Sequence, residues 1–441
     1  MFWWLIPLII VLLPVVLIAL WAFSMRRNMD WQNIVAVTSN LRIKISPALH
    51  RFALSGARDY STLPDILTME DGRSVQSAQQ FEERKNEILN LFSHYVYGPL
   101  PKEGFTTSFE VVEQGEALDG KAVRKQVKIT VSTDKGSSDA LMILYLPKQK
   151  KAPAVIGLNF RGNHTVLNDP AIIPSYTIDT SDGKWEEKRG SAAERWNIAD
   201  SISRGYAVAC IHSADFAPDK KDLYHSRVVS LFEEPEFKAV GAWAFGIMRG
   251  IDYLMTDEGI DHDHIAVVGH SRLGKAALWA AANDLRAGMV ISNDSGNTGA
   301  SLSRGNHGET VFTINMGMPH WFCSEYRQFG KNENALPVDQ HMLLACIAPR
   351  KLYVGNAEND LWADPQGSFN SLRFASKAFE LYDTDVLPEE MEVYPPINTA
   401  YHCRTMGVHL RSGWHDIQKE DWVHYLQFMD QFFVGKESTN G

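Results

Sequence analysis

Cysteine is scarce in this chain, and the four present, at positions 210, 323, 346 and 403, form no CxxC pair and no Cys/His ligand spacing. That pattern offers neither a zinc site nor a dense disulfide framework, so buried free thiols are the expectation. Cationic side chains are also in the minority, 43 Lys and Arg against 53 Asp and Glu, for a formal net charge of -10. A polyanion needs a cationic face, so nucleic acid is excluded as a partner. No internal repeat is visible. Long apolar runs are confined to the start, where residues 1–25 carry no charged side chain.

At about 1.5 Å per helical residue, that stretch is long enough to cross a hydrocarbon core roughly 30 Å thick. Residues 1–27 therefore read as a membrane anchor or a signal-like segment, and the want of a clear basic start and small-x-small cleavage site favours the anchor. Arg26 and Arg27, directly after it, would by the positive-inside tendency place the following body in the cytoplasm. Residues 28–75 mix Ser, Pro and isolated charges without periodicity and read as a tether and irregular lead-in, which leaves 76–437 as a single folded domain.

Within that domain a helical pattern covers 78–97 and ends at Gly98-Pro99. Three alternating runs follow, 107–112, 123–131 and 140–146, as in an antiparallel meander. Beyond them, short apolar strands at 154–158, 206–211, 265–268, 289–292 and 352–355 alternate with helical stretches that include 240–254 and 272–283. This alternation is the signature of βαβ units and a parallel sheet. An antiparallel N-terminal edge leading into a mostly parallel sheet with helices on both faces is the layout of the α/β-hydrolase fold.

Ser271 sits between a buried strand and a helix, with Gly269 two residues before it and Gly274 three after. Small flanking residues are what a tight nucleophile elbow needs, although the second glycine comes one residue later than in GxSxG. Arg272 occupies the first helical turn, where the helix dipole disfavours a cation. Lys275, one turn on, shares the face of Ser271, so two cations and a helix N-terminus converge on one hydroxyl. Such a site suits a developing oxyanion. Chain order in this fold runs nucleophile, acid, histidine. His415 follows a short apolar strand and a Ser-Gly turn and precedes a terminal helix, which selects it over His402 and His409. Two positions remain open for the acid, Asp294 and Asp360, each just beyond a predicted strand.

Five motifs, Gly269-His270-Ser271-Arg272-Leu273-Gly274-Lys275, Asn293-Asp294-Ser295-Gly296, His320-Trp321-Phe322-Cys323, Ala348-Pro349-Arg350 and Asp360-Leu361-Trp362-Ala363-Asp364-Pro365, together resemble the glucuronoyl esterases, carbohydrate esterase family fifteen. The resemblance runs from about Glu87 to Phe432. It is to the bacterial branch, because His270 stands where fungal members carry a disulfide cysteine. It implies a serine esterase, using no metal or cofactor, that hydrolyses esters of 4-O-methyl-glucuronic acid joining xylan to lignin alcohols, and a monomer is the expectation. Ser271 matches the nucleophile, His415 the base and Arg272 the arginine that helps bind the oxyanion. Lys275, Glu325 and Trp362 match residues that bind the uronate ring and its hydroxyls. The family places its acid after either of two strands, usually as Glu after the first, and here Asp294 and Asp360 occupy both places. A polysaccharide substrate implies a periplasmic or extracellular body, against the reading of Arg26 and Arg27. An acetyl xylan or feruloyl esterase of the same fold is the alternative. The charge- and Trp-rich stretch 181–196 has the composition of a lid or substrate rim.

Overall fold

The computed structural model describes residues 58–148, 151–175, 188–388, 391 and 393–433. The apolar segment 1–27, the first part of the tether and residues 181–187 of the charged, Trp-rich stretch lie outside them. Among the described residues no helix is long and apolar enough to cross a membrane.

One ten-stranded sheet organises the described residues, in the order β1-β2-β3-β5-β4-β6-β7-β8-β10-β9. The strands are β1 (Thr106–Ala117), β2 (Ala122–Thr133), β3 (Gly136–Pro147), β4 (Ala152–Asn159), β5 (Ala207–His212), β6 (Ile260–His270), β7 (Met289–Asn293), β8 (Lys351–Ala357), β9 (Ala400–His402) and β10 (Met406–Arg411). The first three form the antiparallel edge. From β5 to β10 neighbouring strands are parallel, and β9 closes the far edge antiparallel.

Helices follow as α1 (Ala78–Phe92), α2 (Ile198–Ser203), α3 (Ala239–Leu254), α4 (Arg272–Asn283), α5 (Val311–Gly317), α6 (Gln340–Ala345), α7 (Pro365–Glu380) and α8 (Lys419–Phe433). The lead-in helix ends earlier than its periodicity predicts, passing into one wider π turn, Ser93–Tyr97. Gly98 stops it at φ 78°, where a Cβ would lie 1.9 Å from the Glu236 carbonyl oxygen.

Side-chain alternation along the parallel strands separates two cores, because successive residues point to opposite faces. On β6, Ile265 and Val267 face the main core with α3 and α4. Ala266 and Val268 face the other side, against Trp422, Tyr425 and Phe428 of α8. Burial on both faces explains why these strands read as near-continuous apolar runs rather than alternating ones. The four cysteines are free and buried.

Residues 58–75, the described part of the lead-in, form no named helix or strand, yet they are not loose. Ile66, Met69 and Val75 are buried in the main core. Arg58 forms a bidentate pair with Asp364, at 2.7 and 2.6 Å, and donates to the Gly305 carbonyl at 3.0 Å. Removing one partner of a buried pair leaves an uncompensated charge, so Arg58→Ala is expected to cost about 3 kcal/mol of stability. Chemical denaturation reads this directly, with Arg58→Lys falling between because it keeps the charge and loses the fork. An unchanged midpoint for the Ala variant would detach the lead-in from the folded body.

Candidate active site

The carboxyl ends of β6, β7, β8 and β10 meet along one side of the sheet, the usual position of ligand crevices in parallel sheets. At the end of β6 the chain turns sharply into α4, and Ser271 occupies the corner with φ 57° and ψ -131°. A non-glycine residue holds such a backbone only where its surroundings over-determine it. Here the Ser271 amide donates to the Asn293 carbonyl at 2.9 Å, and the Ser271 carbonyl accepts from the Gly274 amide at 2.9 Å. Gly269 is required: a Cβ there would sit 2.1 Å from the Leu273 carbonyl oxygen. The late glycine of the motif also has a reason, since a Cβ on Gly274 would approach the Ser295 Cβ to 2.9 Å.

The half-exposed His415, on the loop between β10 and α8, brings Nε2 to 2.9 Å from the Ser271 hydroxyl oxygen. Its Nδ1 lies 2.5 Å from Asp360 Oδ2, three residues beyond β8. Burial pushes the His415 pKa down, but the Asp360 carboxylate outweighs it and leaves the net shift upward. Asp294 does not hydrogen-bond the imidazole. Its Oδ1 accepts from the Ala357 amide at 2.8 Å, and its Oδ2 lies 3.6 Å from Arg411. Burial and the charge of Asp360 push the Asp294 carboxyl well upward. The ligand-type atoms of Asp294, Asp360 and His415 lie within 4.8 Å of one another, but those of Asp360 and His415 are engaged with each other and with Ser271.

The loop carrying His415 is held from beneath by the buried Arg411. Its guanidinium donates to the carbonyls of Ser412, Trp414 and Asp416 at 2.9, 2.8 and 2.6 Å, and its Nε donates to Asp421 at 2.8 Å. His270 packs against His415 with ring centroids 4.6 Å apart and planes inclined by 40°. Burial, then the charge of His415, pushes the His270 pKa well down, and its Nδ1 donates to Asn293 Oδ1 at 2.6 Å.

Ser271, Arg272, His270 and His415 line one cavity of about 300 Å³ together with Phe160 and Asp219. The Arg272 guanidinium stacks over Phe160 and Trp321 and donates to Asp219. Lys275 is 3% exposed; its ammonium donates to the carbonyls of Ser295 and Asn297 and pairs with Glu309 at 3.2 Å. Glu309 also accepts from Trp362 Nε1 at 3.2 Å, and its amide donates to the Trp362 carbonyl at 2.9 Å. Lys275 and Trp362 are therefore brought together through Glu309, as two residues that the family resemblance assigned to one subsite.

Glu325 is not with them. It is exposed on the short helical segment Ser324–Lys331 and accepts from Gln328 at 2.9 Å. The carboxylate that joins Lys275 to Trp362 belongs to Glu309, because the loop before α5 folds back onto the Trp362 backbone. Two site residues thus escaped the sequence reading, Glu309 and Asp219. The available signal was Lys275 itself, since a cation on a buried helix face requires a counter-charge.

A profile for the family described as "Glucuronyl esterase, fungi" matches residues 197–383. A carbohydrate esterase from an unknown prokaryotic organism is 40% identical over 393 residues, 85% of this chain and 90% of that protein. Among solved structures, a promiscuous family 15 esterase from a marine bacterial metagenome is 39% identical with a TM-score of 0.79, covering 86% of this chain and 98% of the other. The glucuronoyl esterase of Solibacter usitatus is 36% identical, also with a TM-score of 0.79, covering 85% and 98%. The chain belongs to carbohydrate esterase family 15, the glucuronoyl esterases, and is a carboxylic ester hydrolase of the α/β-hydrolase fold.

Proposed function

We propose that the chain hydrolyses esters of 4-O-methyl-glucuronic acid that join xylan to lignin alcohols, through an acyl-enzyme on Ser271. The observation that carries the reading is the unbroken contact series Ser271 to His415 to Asp360, at 2.9 and 2.5 Å, beside the Arg272 guanidinium. His415 removes the proton from Ser271 as the hydroxyl attacks the ester carbonyl, then returns it to the departing alcohol. Asp360 holds the imidazole in one tautomer and stabilises its cation. Arg272 and the amide groups at the start of α4 receive the developing negative charge. In the second half a water, deprotonated by His415, releases the uronate and restores the serine.

The acyl side is recognised by Lys275, Glu309 and Trp362. A uronate ring presents hydroxyls to a charged pair and an apolar face to an indole. We read residues 76–437 as the catalytic domain and residues 1–27 as the anchor that tethers it to a membrane, with the body on the side where polysaccharide is met. An acetyl xylan esterase would share the serine and histidine without needing the Lys275–Glu309 pair.

Ser271→Ala is expected to abolish turnover of benzyl glucuronate, and the unaltered enzyme should favour that ester over acetyl esters in parallel kinetics. Retained activity in the variant would remove Ser271 from the chemistry, and a preference for acetyl esters would reassign the substrate. For the two acids, Asp360→Asn is expected to lower kcat by about 10⁴-fold, while Asp294→Asn, with no bond to the imidazole, should cost much less. Reversed magnitudes would exchange their roles. His415 must be neutral to accept a proton, and its pKa is raised. Activity should therefore fall as pH drops through a midpoint above the ordinary histidine value, and Asp360→Asn should move that midpoint down in the pH profile of kcat/KM.

A further inference from the structure

The motif His320-Trp321 lies outside the contact series from Ser271 to Asp360, yet its backbone is held at both carbonyls. Its two carbonyls accept from the amides of Ala239 and Val240, the first residues of α3, a helix with no side-chain N-cap. They thereby satisfy two donors that a helix start otherwise leaves open. With the backbone so fixed, both side chains aim at one carboxylate. Asp219 Oδ1 accepts from His320 Nε2 at 2.9 Å and from Trp321 Nε1 at 2.6 Å, while Oδ2 accepts from Arg272 Nη1. Burial alone would push the Asp219 carboxyl up, but the donors from His320, Arg272 and Trp321 outweigh it and hold it below its ordinary value.

We propose that Asp219 is a positioning residue for Arg272, locked by His320 and Trp321 through one oxygen so that the other holds the guanidinium beside Ser271. The inference rests on the reading of Arg272 as the oxyanion-binding group. An arginine has many rotamers, and catalysis by a fixed charge requires that its reorganisation precede the reaction. Asp219 supplies that order from one side, and the Phe160 and Trp321 rings supply it from the faces, at 5.5 and 5.1 Å. Arg272 Nε is buried and has no hydrogen-bond partner among the described residues.

A double-mutant cycle on benzyl glucuronate separates this role from a merely structural one. Arg272→Ala is expected to lower kcat by about 10²-fold, and Asp219→Asn by about tenfold with little change in KM. The double variant should be no slower than Arg272→Ala alone, because Asp219 acts through the guanidinium. Equal losses from Asp219→Asn in both backgrounds, or no loss in either, would overturn the proposal. If Asp219→Asn does not fold, as read by thermal melting, Trp321→Phe replaces it in the same cycle. That variant keeps the ring over Arg272 and deletes one donor to Asp219, and its smaller kcat loss must vanish in the Arg272→Ala background. A fully active Arg272→Ala enzyme is a different outcome, since it removes the oxyanion assignment itself.

Discussion

The corner at Ser271 constrains everything around it. Its left-handed backbone exists because Gly269 lets the β6 end pass against the Leu273 carbonyl and because Asn293, at the end of β7, takes the Ser271 amide. Once the hydroxyl projects from the carboxyl edge of the sheet, the partners that reach it must come from neighbouring strand ends. β8 delivers Asp360 and the loop after β10 delivers His415, and β10 is the strand paired in parallel with β8.

Four cations at this edge are each matched to a carboxylate, three of them from a distant part of the chain. Arg272 pairs with Asp219, Lys275 with Glu309, Arg411 with Asp421, and Arg58 with Asp364. An unpaired charge at these depths would be costly to bury, so each pair also fixes a loop. Arg411 holds the loop of His415. Arg58 and Asp364 hold the turn that follows Asp360 and Trp362. Asp294 belongs to this framework more than to the imidazole, since it ties the end of β8 through the Ala357 amide and faces the Arg411 guanidinium.

Much of this was legible before any coordinates. The strands of the parallel sheet stand out because burial on both faces makes them apolar runs, and α4 spans Arg272–Asn283 as its pattern predicts. Ser271 and His415 are readable because an elbow needs small neighbours and because the fold has a fixed chain order. The choice between Asp294 and Asp360 was not readable, since both follow strands and differ only in which direction the carboxylate faces. Glu325 rests on the family resemblance, and the structure places Glu309 between Lys275 and Trp362 instead. Loop residues carry no periodicity, so nothing in the order of amino acids states which of two glutamates folds back.

By itself the sequence determined the α/β-hydrolase class, the tight corner at Ser271 and the histidine that meets it, because these depend on local periodicity, on chain order and on residues small enough for a tight turn. Only the tertiary structure decided which carboxylate meets each cation: Asp360 at His415, Glu309 at Lys275, Asp219 at Arg272. Those pairings join residues between about 34 and 55 positions apart, and over such separations charge is matched by the geometry of strand ends rather than by spacing along the chain.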